Sequence, residues 1–202
     1  RTMQQCHHNC DELKRMIQSL LDIHKMEDGK LEPERKPIDI GTLIENLMEA
    51  FQASAEYHQI ELEFDVPDTD EWVQGDEMLM KRVISNLISN AIKYTHRGGT
   101  VICTARQEDG FAVATVEDNG IGIDEARIAK VFEPFWQEGN SFVAENTGVG
   151  LGLTIARSYI EAQGGRIEIK RAGERGTIFR LYMPVADAGA APVTQTAGCL
   201  GS

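Results

Sequence analysis

Asn86, Asn90 and Lys93 stand four and three residues apart, a spacing that puts all three on one face of a helix. Two amides and an ammonium on such a face suit a magnesium-phosphate group. An amide oxygen can ligate Mg²⁺, which keeps several waters and takes few protein ligands. The lysine meets phosphate oxygens as a compact point charge. The same trio is also what the solvated face of an ordinary amphipathic helix presents. Further on, Val116 to Ile123 reads Val-Glu-Asp-Asn-Gly-Ile-Gly-Ile. A carboxylate at a strand end, here Asp118, can accept a hydrogen bond from an exocyclic amine such as that of adenine. Gly120 and Gly122 let backbone approach a ligand with no Cβ in the way. An Asp-Asn-Gly turn without a ligand would read the same. Thr147 to Leu153 is Thr-Gly-Val-Gly-Leu-Gly-Leu and opens a helix. Its alternating glycines, Gly148, Gly150 and Gly152, leave N–H groups and the positive end of a helix dipole for an anion. The Gly-Lys-Ser/Thr ending of a Walker A loop is absent. A dinucleotide fingerprint is excluded as well, because an irregular segment and not a strand precedes these glycines.

These residues need elements to hold them. Asp76 reads as the N-cap of a helix reaching about Tyr94, with Val83, Ile84, Leu87, Ile88, Ala91 and Ile92 as its buried stripe. A second helix spans about Ile40 to Tyr57, with Leu43, Ile44, Leu47, Met48 and Phe51 on one face. Gln59 to Val66 alternates as a strand, and Asp68 to Gly75 reads as a polar turn. Thr100 to Gln107 and Phe111 to Glu117 form a hairpin around Asp109-Gly110. A short helix is expected near Asp124 to Val131. Glu133 to Gly150 has few aliphatic residues and reads as a long mobile loop, of the kind that usually serves function. Leu151 to Gln163 is helical, and Arg166 to Lys170 and Thr177 to Met183 are the last strands. Mixed strands with helices gathered together predict an α+β two-layer sandwich. Ahead of it, from about Gln4 to Asp28, Leu13, Met16, Leu20 and Ile23 form a bundle-type seam, widened by Ile17 and Leu21. The expected division is 1–30 for this helical remnant, 31–185 for the sandwich and 186–202 for a disordered tail or linker.

Taken together and in order, these segments resemble the histidine-kinase branch of the GHKL ATPases, whose other branches include DNA gyrase, MutL and the Hsp90-type chaperones. Asn86 to Thr95 looks like the family's N box, Asp118 to Ile123 its G1 box, Phe132 to Phe135 its F box, and Gly148 to Leu153 its G2 box. The resemblance covers about Pro37 to Pro184. Leu20 to Leu31 is similar to the end of the second dimerisation helix in these kinases. The resemblance implies the Bergerat fold, with ATP and Mg²⁺ as cofactors. It implies that Asp118 binds the adenine amine, directly and through water, with Thr177 nearby, and that Gly120, Gly122 and Ile123 shape the same wall. Tyr94 covers the adenine ring. Asn90 ligates Mg²⁺ with Asn86 assisting, and Lys93 touches phosphate; these three are the expected catalytic residues. Gly148, Val149, Gly150, Leu151, Gly152 and Leu153 form the phosphate segment, and Phe132 and Phe135 anchor the loop's near end. Tyr94 and the two phenylalanines are equally readable as plain core aromatics.

The departure from the pattern is the missing H box: no His-Glu-x-x-Arg-Thr-Pro segment occurs, and His7 and His8 lack those neighbours. The expected activity is therefore transfer of the ATP γ-phosphoryl group to a histidine outside this chain, for relay to a response regulator receiver domain. The expected partners are the histidine-bearing helix and, in the full-length protein, a second copy. An ATP-hydrolysing machine is disfavoured at Asn86, where the hydrolases of the family resemble one another in placing a glutamate that can activate water. A degenerate kinase that binds nucleotide and partners is the other alternative. The net charge of −12, with no basic cluster, excludes a nucleic-acid backbone partner. No apolar run approaches the roughly 18 residues of a membrane span, and the expected compartment is the cytoplasm. Four cysteines form no disulfide framework. Cys6 and Cys10 share a helix face, yet no second ligand pair completes a zinc shell.

Overall fold

The computed structural model describes residues 17, 21, 22, 24, 30–66, 72–137, 150–173 and 175–186. Helix α1, Ile40–His58, starts where Asp39 accepts hydrogen bonds from the Thr42 N–H at 3.0 Å and the Thr42 hydroxyl at 2.7 Å, an N-cap that satisfies an orphan donor. It buries Ile40, Leu43, Ile44, Leu47 and Met48. Helix α2, Glu77–Tyr94, starts at Asp76, whose carboxylate accepts from the Met78 and Leu79 N–H groups. Its buried stripe runs from Leu79 to Ile92 and includes every residue the periodicity predicts. Helix α3, Gly152–Ala162, buries Ile155, Ala156, Tyr159 and Ile160.

Five strands form one sheet in the order β2-β4-β5-β7-β6. They are β2 (Glu61–Asp65), β4 (Thr100–Glu108), β5 (Phe111–Asp118), β6 (Arg166–Arg171) and β7 (Thr177–Pro184). Only β2 runs parallel to its neighbour; the other pairs are antiparallel. The β4–β5 hairpin turns at Asp109 and Gly110 with φ of 49° and 82°, the left-handed pair that a two-residue turn of this twist demands. Alternate residues of the central strands are buried: Val101, Cys103 and Ala105 on β4, Ala112, Ala114 and Val116 on β5, Phe179, Leu181 and Met183 on β7. They join the buried helix stripes in one core. The result is the α+β two-layer sandwich expected, with three helices on a mixed sheet.

Three local expectations are corrected. Asp68 to Gly75 is not all turn: Trp72–Gly75 is strand β3, and it pairs with β1, Lys36–Asp39, in a separate two-stranded sheet. Each strand is only four residues long, too short for alternation to register as a signal. Val73 is nonetheless fully buried, and its bridge to Val185 ties the small sheet to the large one. Asp124 to Val131 forms no α-helix but a single 3₁₀ turn, Glu125–Arg127, capped by Asp124. That turn buries none of its residues, so no apolar face holds a longer helix together. The strand expected over 59–66 is shorter at both ends, because Gln59 caps α1 in the left-handed region at φ 59°. Of the front helix, Ile17, Leu21, Asp22 and His24 are helical. Leu13, Met16, Leu20 and Ile23 lie outside the described residues, as do Cys6, Cys10 and the expected tail from residue 187 on.

Candidate nucleotide site

A cavity of about 180 Å³ opens where α2, the end of β5, β7 and the start of α3 meet. Its lining includes Asn86, Asn90, Lys93 and Tyr94 from α2, Asp118 and Thr177 from the paired strand ends, and Gly122, Ile123, Gly150, Gly152 and Leu153. All of these are residues singled out from the sequence. Gly120, Phe132 and Leu151 do not line it, and Gly148 and Val149 lie outside the described residues. Ile121, Val131, Trp136, Gln137 and Phe179 also line it. Sequence reading passes over four of them because apolar side chains at these places carry no chemical mark, and over Gln137 because a single amide beside an irregular segment carries none either; Trp136 follows directly on Phe135 and was the one within reach.

Asp118 is 4% exposed. Its carboxylate accepts the Gly120 N–H at 2.9 Å and hydrogen bonds from Thr177, its register partner on β7. Burial pushes its pKa up, and the hydrogen bonds from Gly120 and Thr177 pull part of that back. Lys93 holds its ammonium 5.1 Å from the Tyr94 ring centroid, a cation–π distance that keeps ring and charge together at the rim.

Asn86 meets α3 closely. A Cβ at Gly152 would fall 2.4 Å from Asn86 Oδ1, so only glycine lets the helix start pack on that amide. Asn86 Nδ2 is buried and has no protein partner, a state that costs about 1–3 kcal/mol until an acceptor arrives. No side chain caps the start of α3, so its first N–H groups are open to an anion. Gly150 and the first turns of α3 are tied to residues 132–135. Phe135 donates its N–H to the Gly150 carbonyl at 3.0 Å, Thr154 donates its hydroxyl to the Phe132 carbonyl at 2.9 Å, and the Arg157 guanidinium lies over the Phe132 ring. Both ends of the expected loop are thereby joined beside the cavity. Residues 138–149, on which the expectation of mobility mainly falls, lie outside the described residues.

Residues 75–187 match the family described as histidine kinase-, DNA gyrase B- and HSP90-like ATPase. The chain belongs to this family. It is 33% identical over 175 residues to the sensor protein KdpD of Clostridium acetobutylicum, across 85% of this chain and 19% of that protein. It is 31% identical over 179 residues to the sensor histidine kinase CusS of Escherichia coli O6:H1, across 87% of this chain and 37% of that protein. Among solved structures it is similar to full-length ShkA in complex with AMPPNP, at a TM-score of 0.78 and 28% identity, over 92% of this chain and 38% of that one. The chain spans between 19% and 28% of the length of the first three curated relatives it matches. It is thus an ATP-binding catalytic domain of the kind that sensor histidine kinases carry. Among the described residues, no helix is long and apolar enough to cross a membrane.

Proposed function

We propose that this domain presents ATP for transfer of its γ-phosphoryl group to a histidine borne on a separate helical domain. The observation that carries the reading is the pairing, across one cavity, of a buried strand-end carboxylate with an amide-and-ammonium helix face. Asp118 accepts from the adenine amine, and Thr177 holds that carboxylate in place. Tyr94 covers the base. Lys93 and the open N–H groups at the start of α3 take the phosphates, whose charge the helix dipole favours. The AMPPNP bound to the similar ShkA is an ATP analogue, which supports a nucleotide in this cavity.

Mg²⁺ fits the same face. Among the described residues no cluster of three His, Cys, Asp or Glu side chains could hold a metal. A magnesium ion here would ride on the phosphates, with the Asn90 and Asn86 amide oxygens completing its shell. Bound there, it would offset the charge of the phosphate oxygens. The residues of the chain position the donor: the bond between the γ-phosphorus and the β–γ bridging oxygen breaks, a phosphorus–nitrogen bond to the imidazole forms, and ADP leaves. No general base is needed from Asn86, because the acceptor nitrogen attacks with its own lone pair. The resulting phosphohistidine would serve a response regulator receiver domain, and the full-length protein would act as a homodimer.

The test is radiolabelled ATP added to this chain together with a separate helical domain carrying a His-Glu-x-x-Arg-Thr-Pro segment. Acid-labile label on the added domain is expected, and none on this chain alone. Tight ATP binding without any transfer would favour a nucleotide-binding module that has lost turnover. Label on this chain, lost in a His7→Ala, His8→Ala variant, would place the acceptor within these residues.

A further inference from the structure

Gln163 is fully buried, and it is one of four buried polar or charged residues among those described. It does not line the nucleotide cavity; it is the C-cap at the far end of α3. Its side chain joins two helices. The amide nitrogen donates to the Tyr159 carbonyl, one turn back on α3, at 2.8 Å. The amide oxygen accepts the Asp76 N–H at 2.7 Å. A donor partner on one side and an acceptor partner on the other fix which way the amide points. Asp76 is the N-cap of α2, so its N–H has no partner within that helix, and Gln163 supplies one from outside.

The same two helices meet at two further levels. Arg82 of α2 donates to the Tyr159 hydroxyl oxygen of α3 at 3.0 Å. Asn86 of α2 lies against Gly152 of α3, where a Cβ would come within 2.4 Å of Asn86 Oδ1. Positions 76, 82 and 86 thus face 163, 159 and 152 in turn, so α2 and α3 run antiparallel, and the Gln163 contact stands at the opposite end of the pair from the cavity. Apart from the Tyr159 hydroxyl, the buried residues of both helices are apolar. Apolar faces can slip along one another, whereas a single buried polar contact specifies register.

We infer that Gln163 is a positioning residue for the phosphate end of the site: it sets the register of α3 on α2 and so holds Gly152 against the Asn86 amide. The inference rests on the reading that nucleotide phosphates meet the start of α3. A slip of α3 would part Gly152 from Asn86 and shift the first N–H groups of the helix, which are those offered to phosphate. It would leave Asp118 and Thr177 in place, because strand register holds them. Gly75 gives the amide its seat, since a Cβ there would lie 2.9 Å from Gln163 Oε1.

Titration calorimetry on the full chain tests this, with adenosine and with ATP plus Mg²⁺. The wild type should bind ATP more tightly than adenosine. Gln163→Met keeps an unbranched side chain of similar length and removes both hydrogen bonds. It should lower ATP affinity roughly tenfold, the factor that losing one hydrogen bond to a charged group carries, and leave adenosine affinity unchanged. Gly75→Ala displaces the same amide by pressing on the flexible end of its side chain, and should show the same selective loss; it decides the matter if Gln163→Met does not fold. Equal losses for both ligands, or a folded variant with the wild-type ratio of the two affinities, overturn the inference. A wild type that binds ATP no better than adenosine would overturn the phosphate reading itself, and this inference with it.

Discussion

Asp118, which we propose contacts the adenine amine, is a buried carboxyl whose ionisation is costly to the empty fold. Burial raises its carboxyl pKa above the ordinary 3.8, so the folded chain binds that proton more tightly than the unfolded chain does. Its contribution to stability is therefore fully present below pH 3.8 and is lost as pH rises through the raised folded value. Under the proposed adenine contact nucleotide binding runs the other way, because the amine would need the ionised carboxylate. Acidification from neutral pH should weaken ATP, beginning above the usual carboxylate range, while it relieves the empty site. Asp118→Asn should lower ATP affinity roughly tenfold to a hundredfold, about 1.5–3 kcal/mol, and flatten the pH dependence. Titration calorimetry across pH on both proteins measures this, and a wild-type affinity independent of pH would remove Asp118 from the adenine contact. The residue was legible in the sequence because its carboxylate and alternate glycines stand in order with the other boxes; alone they read as an ordinary turn. Its burial was not, since that depends on Thr177, which lies 59 positions further along the chain and meets it only through strand register.

At the scale of elements, the long periodic segments were readable and the short ones were not. α1 and α2 each repeat their apolar stripe over several turns behind an aspartate N-cap, and both ends fall within a residue or two of expectation. β1 and β3 repeat nothing, and only their pairing with each other creates the pattern. The junction of α2 with α3 was legible as motifs but not as contact: the orphaned Asn86 amide against Gly152 is visible only once the helices are packed. That junction yields a prediction. Gly152→Ala places a Cβ 2.4 Å from Asn86 Oδ1, closer than any real contact, so the amide must move. Alanine is the better helix former by about 1 kcal/mol, so α3 should persist. The expected result is that the gain in ATP affinity on adding Mg²⁺ shrinks, while affinity without Mg²⁺ changes little. Calorimetry with and without Mg²⁺ reads both; an unchanged Mg²⁺ effect would argue that Asn86 does not serve the metal.

Across the whole molecule, the cavity draws Asn86, Asp118, Gly152 and Thr177 from four separate elements, and none of these is near another in the unfolded chain. ATP should therefore bind the folded state only and stabilise it by mass action. The centre of the sheet offers a probe. Cys103 is fully buried on β4, and burial pushes its thiol up to about 12. In the folded chain it is neither accessible nor ionised, and only the thiolate reacts. Its alkylation should thus wait for global unfolding. With ATP and Mg²⁺ at roughly one hundred times the dissociation constant, the folded state gains about 2.7 kcal/mol, and alkylation of Cys103 should slow about a hundredfold. Asp118→Asn, at the same ATP concentration, should lose most of that protection. Peptide mapping separates Cys103 from Cys6, Cys10 and Cys199. If calorimetry shows ATP bound while Cys103 reacts at the same rate, then β4 opens without disturbing the cavity, and sheet and site are not one cooperative unit.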